Sequence, residues 1–173
     1  KDRNPQGRLF NPELAGGSLL YLGIYPISLA SMILGKPSRI ETIANIGETG
    51  VDEQAAFLFS YTKGEIAMLL SSLECETRQE AFISGSLGNV RIHKQCWKPQ
   101  KMTFTETNGS NVDTIEMPFT GNGFNYEAES FGNLLLDGKK ESPIMPLNES
   151  LEIMRQMDQI RRKWNLVYPM DKQ

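Results

Sequence analysis

Gln54-Ala-Ala-Phe-Leu-Phe-Ser-Tyr-Thr-Lys-Gly-Glu-Ile-Ala-Met-Leu-Leu-Ser-Ser-Leu73 is the stretch that decides the architecture. Two apolar runs, Gln54 to Tyr61 and Ile66 to Leu73, flank Thr62-Lys63-Gly64-Glu65, whose glycine suits the positive φ of a hairpin turn. Both runs read as strands of one antiparallel pair. Upstream, Arg39 to Ile46 alternates, with Ile40, Thr42, Ala44 and Ile46 on one face. Downstream, Arg78 to Ser84, Val90 to Gln95, Met102 to Thr107 and Asp113 to Met117 read as further strands, separated by Gly85-Ser86-Leu87-Gly88-Asn89 and by Asn108-Gly109. About seven consecutive strands without intervening helices predict an antiparallel sheet rather than βαβ units.

Helical patterns bracket the strands. From Leu14 to Leu34 the chain carries no acidic or basic side chain. Its length reaches the roughly 20 residues of a membrane span. Its glycines, serines, proline and tyrosines, and the mixed charges at its flanks, favour instead a helix buried on most sides of a soluble domain. Pro26 predicts a bend between Leu22 and Pro26, and Gly35-Lys36-Pro37 ends the helix. Phe124, Ala128, Phe131 and Leu135 mark a second amphipathic helix closed by Gly138. A third starts near Asn148 as cap and presents Leu151, Met154, Met157 and Trp164, the two methionines as core filler. The fold class is α+β: a large, mostly antiparallel β-sheet with helices packed on one face, in one domain over residues 1–173.

Ala55-Ala56-Phe57-Leu58-Phe59 and Ile66-Ala67-Met68-Leu69-Leu70 are apolar at both parities, as in strands covered on both faces. Helices cover one face. A second subunit is the simplest cover for the other, which predicts a homodimer through the open sheet face; long loops over central strands are the alternative.

The 173 residues carry a net charge of −3, with no basic block beyond Arg161-Arg162-Lys163, so a nucleic-acid partner has little electrostatic support. Cys75, Cys96 and the single His93 make neither a disulfide framework nor a metal set, and a reducing cytoplasm is the default. The opening Lys1-Asp2-Arg3-Asn4-Pro5, without an initiator methionine, fits a piece of a longer protein or a trimmed chain. The Gly16-Gly17 pair allows close approach of another backbone or of a ligand, and Tyr21 and Tyr25, four apart, share one helical face. Together they suit the floor of a substrate pocket. His93 reads as a solvent-facing strand residue, and Asp52-Glu53 as a turn or helix-contact pair.

Several of these segments, taken in order, resemble one family. Gly16-Gly17-Ser18-Leu19-Leu20-Tyr21-Leu22-Gly23-Ile24-Tyr25-Pro26-Ile27 resembles the GGGxLLDxGxYPI helix of the Gfo/Idh/MocA oxidoreductases. Thr49-Gly50-Val51-Asp52-Glu53 is similar to that family's strand entry, and Ile83-Ser84-Gly85-Ser86-Leu87-Gly88 to its IxGtxG turn. Gly123 to Ala128, Gly138 to Pro143, and Leu151 to Pro169 resemble its closing elements, with the dihydrodiol dehydrogenase-like branch most similar. The resemblance implies the substrate-binding and dimerisation domain, of the glucose-fructose oxidoreductase type, of an enzyme whose N-terminal Rossmann domain binds NAD or NADP. It implies a sugar or cyclic diol as the small-molecule substrate.

No GxGxxG follows a strand here, since Gly121-Asn122-Gly123 lacks the third glycine, and the family's Glu-Lys-Pro lysine is absent. The domain alone is therefore expected to hold no cofactor and to be inactive. In the complete enzyme hydride would pass between the nicotinamide and a carbinol carbon, with that lysine as acid/base. Tyr25 matches the position that hydrogen-bonds the reacting oxygen or the lysine; a tyrosine packed on the sheet is the alternative. Tyr21 stands where the motif has aspartate, which implies either a different proton relay or a non-catalytic ligand-binding or assembly module. The resemblance places Phe124 as an aromatic wall of the substrate pocket, with a core residue of its amphipathic stripe as the alternative. Phe10, just ahead of the glycine pair, flanks the same pocket on position only, and Gly17 is where another backbone or the substrate can approach.

Overall fold

The computed structural model describes residues 3–172. They gather into two compact units, one built from residues up to Thr77 together with those from Leu147 on, the other from Arg78 to Pro146. The seven expected strands are all present and all antiparallel, but they hydrogen-bond in two sets rather than in one wide sheet. β1 (Arg39–Ile46), β2 (Asp52–Ser60) and β3 (Ile66–Ser72) form the first sheet. β4 (Ala81–Ser84), β5 (Gly88–Ile92), β6 (Lys101–Glu106) and β7 (Val112–Glu116) form the second. A turn follows the last strand of the first sheet. The Ser72 hydroxyl accepts the backbone N–H groups of both Glu74 and Cys75 at 3.1 Å, which turns the chain out of the ladder as β3 ends.

In the first unit Ile40, Ala55, Phe57 and Phe59 point to one face and are buried there. Two helices cover it, α1 (Ile24–Leu34) and α3 (Leu147–Lys163), which contribute Ile27, Ile153, Met157 and Ile160 to the same core. The Phe57 ring lies 6.5 Å from that of Phe59 and 6.0 Å from that of Trp164. Met157 is core as expected, whereas Met154 is exposed, because it faces away from the sheet on α3. That helix also starts at Leu147, ahead of the expected cap at Asn148. On the opposite sheet face Ile43, Leu58, Ile66, Met68 and Leu70 remain exposed.

The uncharged run is broken into a 3-10 turn (Pro12–Leu14), a π turn (Leu19–Gly23) and α1. Pro26 has no N–H for the Leu22 carbonyl, and its ring crowds that carbonyl. The turn ahead opens by one residue, and the Ile24 N–H reaches the Leu19 carbonyl. The stretch Pro12–Leu34 is long and apolar enough to cross a membrane, with a mean hydropathy of 1.6. Here it packs on β2, β3 and α3, and Leu19 and Ile27 are fully enclosed.

In the second unit, α2 (Phe124–Leu136) follows Gly123, which has φ +88°. Its stripe of Phe124, Phe131 and Leu135 is exposed, so this helix, unlike α1 and α3, buries no residue. Ile92 is the one large apolar side chain buried among the described residues of this unit.

Candidate functional site

The site is built on the first turns of the uncharged helix. Gly16 lies so close to the preceding loop that an added Cβ would stand 2.8 Å from the Leu9 carbonyl oxygen and 3.0 Å from that of Arg8. Backbone bonds lock the approach: Gly17 N–H to Leu9 C=O at 2.8 Å and Gly16 N–H to Asn11 C=O at 3.0 Å. Gly17, at φ +115°, rides over the carboxyl of Asp52, whose Oδ1 would be 2.2 Å from a Cβ. The glycine pair thus admits the protein's own loop and carboxyl, and Gly17 is buried.

Asp52 opens β2 and is wholly enclosed. Its Oδ2 accepts the Ser18 hydroxyl at 2.8 Å and the Leu19 N–H at 2.7 Å, satisfying donors that a helix start leaves open. The Ser18 and Ser71 hydroxyls are 2.9 Å apart. Asp52 Oδ1 is buried with no hydrogen-bond partner. Burial raises the Asp52 pKa above the usual carboxylate range, against the lowering effect of the Ser18 and Leu19 bonds. Tyr168, also enclosed, donates its hydroxyl to the Gly16 carbonyl at 2.5 Å, and burial pushes its phenol pKa upward. Asp52 therefore makes the helix contact that its position in sequence admitted as one of two readings.

From this anchored start Tyr21 and Tyr25 project outward, 44% and 45% exposed, as do Met32 and Ile33 at the far end of the helix, while Leu19, Ile27 and Ala30 pack into the core. Tyr21 lies in the π turn and Tyr25 in α1. The Arg8 guanidinium sits over the Tyr21 ring at 5.5 Å from its centroid. Phe10, half-buried in the same loop, carries Arg3 over its ring at 5.7 Å, and Arg3 pairs with Glu53. The structure thus brings Phe10, Gly17, Tyr21 and Tyr25 into one unit. Phe124 belongs to the other, 69% exposed at the start of α2.

Sequence reasoning missed Arg8, Ser71 and Tyr168. They lie in a loop, a strand and the tail, and no spacing links them to the helix. His93 is part-buried just past β5, with Nε2 2.9 Å from the Thr103 hydroxyl. Among the described residues no group of three or more histidine, cysteine or acidic side chains is placed to hold a metal. A dinucleotide site of the Rossmann type needs a Gly-rich turn leading from a parallel strand into a helix. All the described strands pair antiparallel, so the residues here do not fit that cofactor.

Comparison with known proteins places this geometry. Trans-1,2-dihydrobenzene-1,2-diol dehydrogenase of Mus musculus is 33% identical over 168 residues, covering 91% of this chain and 49% of that protein. The Homo sapiens protein of the same name is 30% identical over 167 residues, with 91% and 49% covered. The chain thus spans about half the length of these relatives. Among solved structures, aldose-aldose oxidoreductase from Caulobacter crescentus, complexed with glycerol, superposes with a TM-score of 0.78 at 23% identity, covering 94% of this chain and 50% of that one. The 3-ketoreductase KijD10 from Actinomadura kijaniata, in complex with NADP and TDP-benzene, superposes with a TM-score of 0.73 at 21% identity, over 92% and 50%. The family model described as the GFO/IDH/MocA C-terminal domain matches residues 1–91, more than half of the chain. This chain belongs to that family.

Proposed function

We propose that this chain supplies the substrate side and the dimer interface of an NAD(P)-dependent oxidoreductase acting on a sugar or cyclic diol. One observation carries the reading: Tyr21 and Tyr25 are presented outward from a helix whose other side packs into the core and whose start is clamped by Asp52. A π turn at such a place is a frequent mark of functional sites. Relatives described as diol dehydrogenases and a structural neighbour described as an aldose-aldose oxidoreductase support the substrate class.

In this reading the Tyr25 hydroxyl hydrogen-bonds the reacting oxygen of the substrate. The phenol moves a proton there when a nearby cation supports it. Tyr21 and Phe10 form walls of the pocket, and Gly17 holds the helix start against Asp52. NAD or NADP supplies the hydride acceptor or donor when bound, on a Rossmann domain that is a separate part of the complete protein. The two cysteines are free, which suits a cytoplasmic setting.

Tyr25→Phe in the complete protein tests the catalytic part. The expected result is a fall in kcat of about 10²-fold with KM little changed; an unchanged kcat overturns the role. A second reading, a non-catalytic ligand-binding or assembly module, is favoured by one observation, the phenol of Tyr21 where the family motif has a carboxylate. Tyr21→Asp separates the two: a gain in turnover shows a working site that had lost a carboxylate, while absence of turnover in both forms supports the module.

A further inference from the structure

Arg8 and Arg3 lie in the same N-terminal loop, each over an aromatic ring, yet their charges are treated differently. Arg3 is neutralised by Glu53 and by Glu48, the latter at 3.7 Å. Arg8 has no carboxylate within 4.0 Å among the described residues, Glu13 included. The surface it lies against cannot compensate it, since Leu14 to Leu34 holds no acidic side chain. Its position is fixed rather than loose. The Arg8–Asn11 turn is pressed on Gly16 and hydrogen-bonded to Gly16 and Gly17, and the guanidinium rests on Tyr21, one turn before Tyr25.

An aromatic face attracts a guanidinium but accepts none of the hydrogen bonds its five N–H groups can donate. Among the described residues Arg8 therefore presents an unpaired donor fork on the face of Tyr21. That fork matches an oxyanion in two parallel hydrogen bonds. We propose that Arg8 is the specificity-determining residue of this site and that it selects substrates bearing a carboxylate or phosphate group in addition to the reacting hydroxyl. The assignment of a substrate class rests on the oxidoreductase reading above; the anion recognition itself does not. Tyr21 has a defined part in it. A carboxylate at position 21 would neutralise Arg8, whereas the phenol holds the cation and leaves its charge for the ligand.

The test compares D-glucuronate, D-glucose 6-phosphate and D-glucose in the complete protein with NADP. One or both anionic sugars are expected to exceed glucose in kcat/KM by at least tenfold, with the advantage shrinking as salt rises. Arg8→Gln is expected to bring the anionic-to-neutral ratio near one, and Arg8→Lys to restore part of it. The two anionic sugars separate carboxylate from phosphate recognition. No anionic preference, or an Arg8→Gln variant that depresses all three sugars alike, overturns the proposal. Should no sugar be turned over, the sugar arm of the oxidoreductase reading fails separately, and thermal-shift titration with the same three compounds decides. Stabilisation by an anionic sugar that Arg8→Gln abolishes supports Arg8, and equal or absent shifts overturn it.

Discussion

Asp52 Oδ2 accepts the Leu19 N–H at 2.7 Å, so the first residue of one strand caps the helix turn that carries Tyr21. The bond joins the sheet to the outward-facing tyrosines through a carboxyl with no solvent exposure. Capping groups usually stand next to the helix they cap in sequence. This one arrives from 33 residues away, so it forms only when the tertiary fold does.

Asp52→Ala is expected to destabilise the protein by about 1–3 kcal/mol, because it strands the buried Leu19 N–H and leaves the Ser18 hydroxyl with Ser71 alone. Asp52→Asn keeps the shape and one acceptor and is expected to cost less. Urea unfolding of the three proteins checks the order.

The acidity of Asp52 gives a pH signature opposite to that of the surface acids. Glu80 beside Arg91 and Glu116 beside Lys101 have lowered pKa values, so their contribution is present at neutral pH and lost as pH falls through those values. Asp52 is raised by burial, so the folded state binds its proton more tightly than the unfolded chain does. Stability then declines as pH rises from the unfolded value, about 3.9, through the folded one. The stability difference between wild type and Asp52→Asn is expected to shrink over that interval. A difference that stays constant from pH 4 to pH 8 would contradict the assignment.

Gly17→Ala is expected to lower stability on the order of 3 kcal/mol, since the new Cβ meets Asp52 Oδ1 and the backbone sits at positive φ. Gly35→Ala is the control. Its φ is +75° with ψ −151°, a region essentially reserved for glycine, but nothing lies within 4 Å of the added Cβ, so only the backbone strain remains, about 1–3 kcal/mol. Thermal unfolding of the two variants separates packing from conformation.

Met68, 84% exposed, pairs with Leu58 on the uncovered sheet face, beside Ile66 and Leu70. If two copies meet there, Met68→Glu places a charge in the contact and is expected to turn a dimer into a monomer, measured by light scattering across a dilution series. A wild-type monomer at micromolar concentration, or a dimer indifferent to the substitution, removes this face as the interface.

Much of the molecule is written locally. The Gly64 turn and the alternation from Arg39 to Ile46 specify their hairpin and strand because both depend only on residues a few positions apart, and β1 and β3 begin where the pattern predicts. Pro26 likewise announces a disturbance one turn upstream, whatever surrounds it. The Tyr21–Tyr25 pair is legible for the same reason, since four residues of helix bring both side chains to one side. Tertiary structure decided the rest. The division of seven strands into two sheets depends on which strands meet in space, and the spacing of the strands along the chain is compatible with one sheet or two. Whether the space beside Gly16 and Gly17 belongs to a ligand or to the protein was settled by the Leu9 carbonyl and the Asp52 carboxyl. That Arg8 meets Tyr21 while Arg3 meets Glu53 depends on how one short loop folds back on the helix, and charge pairing acts through space, not along the chain.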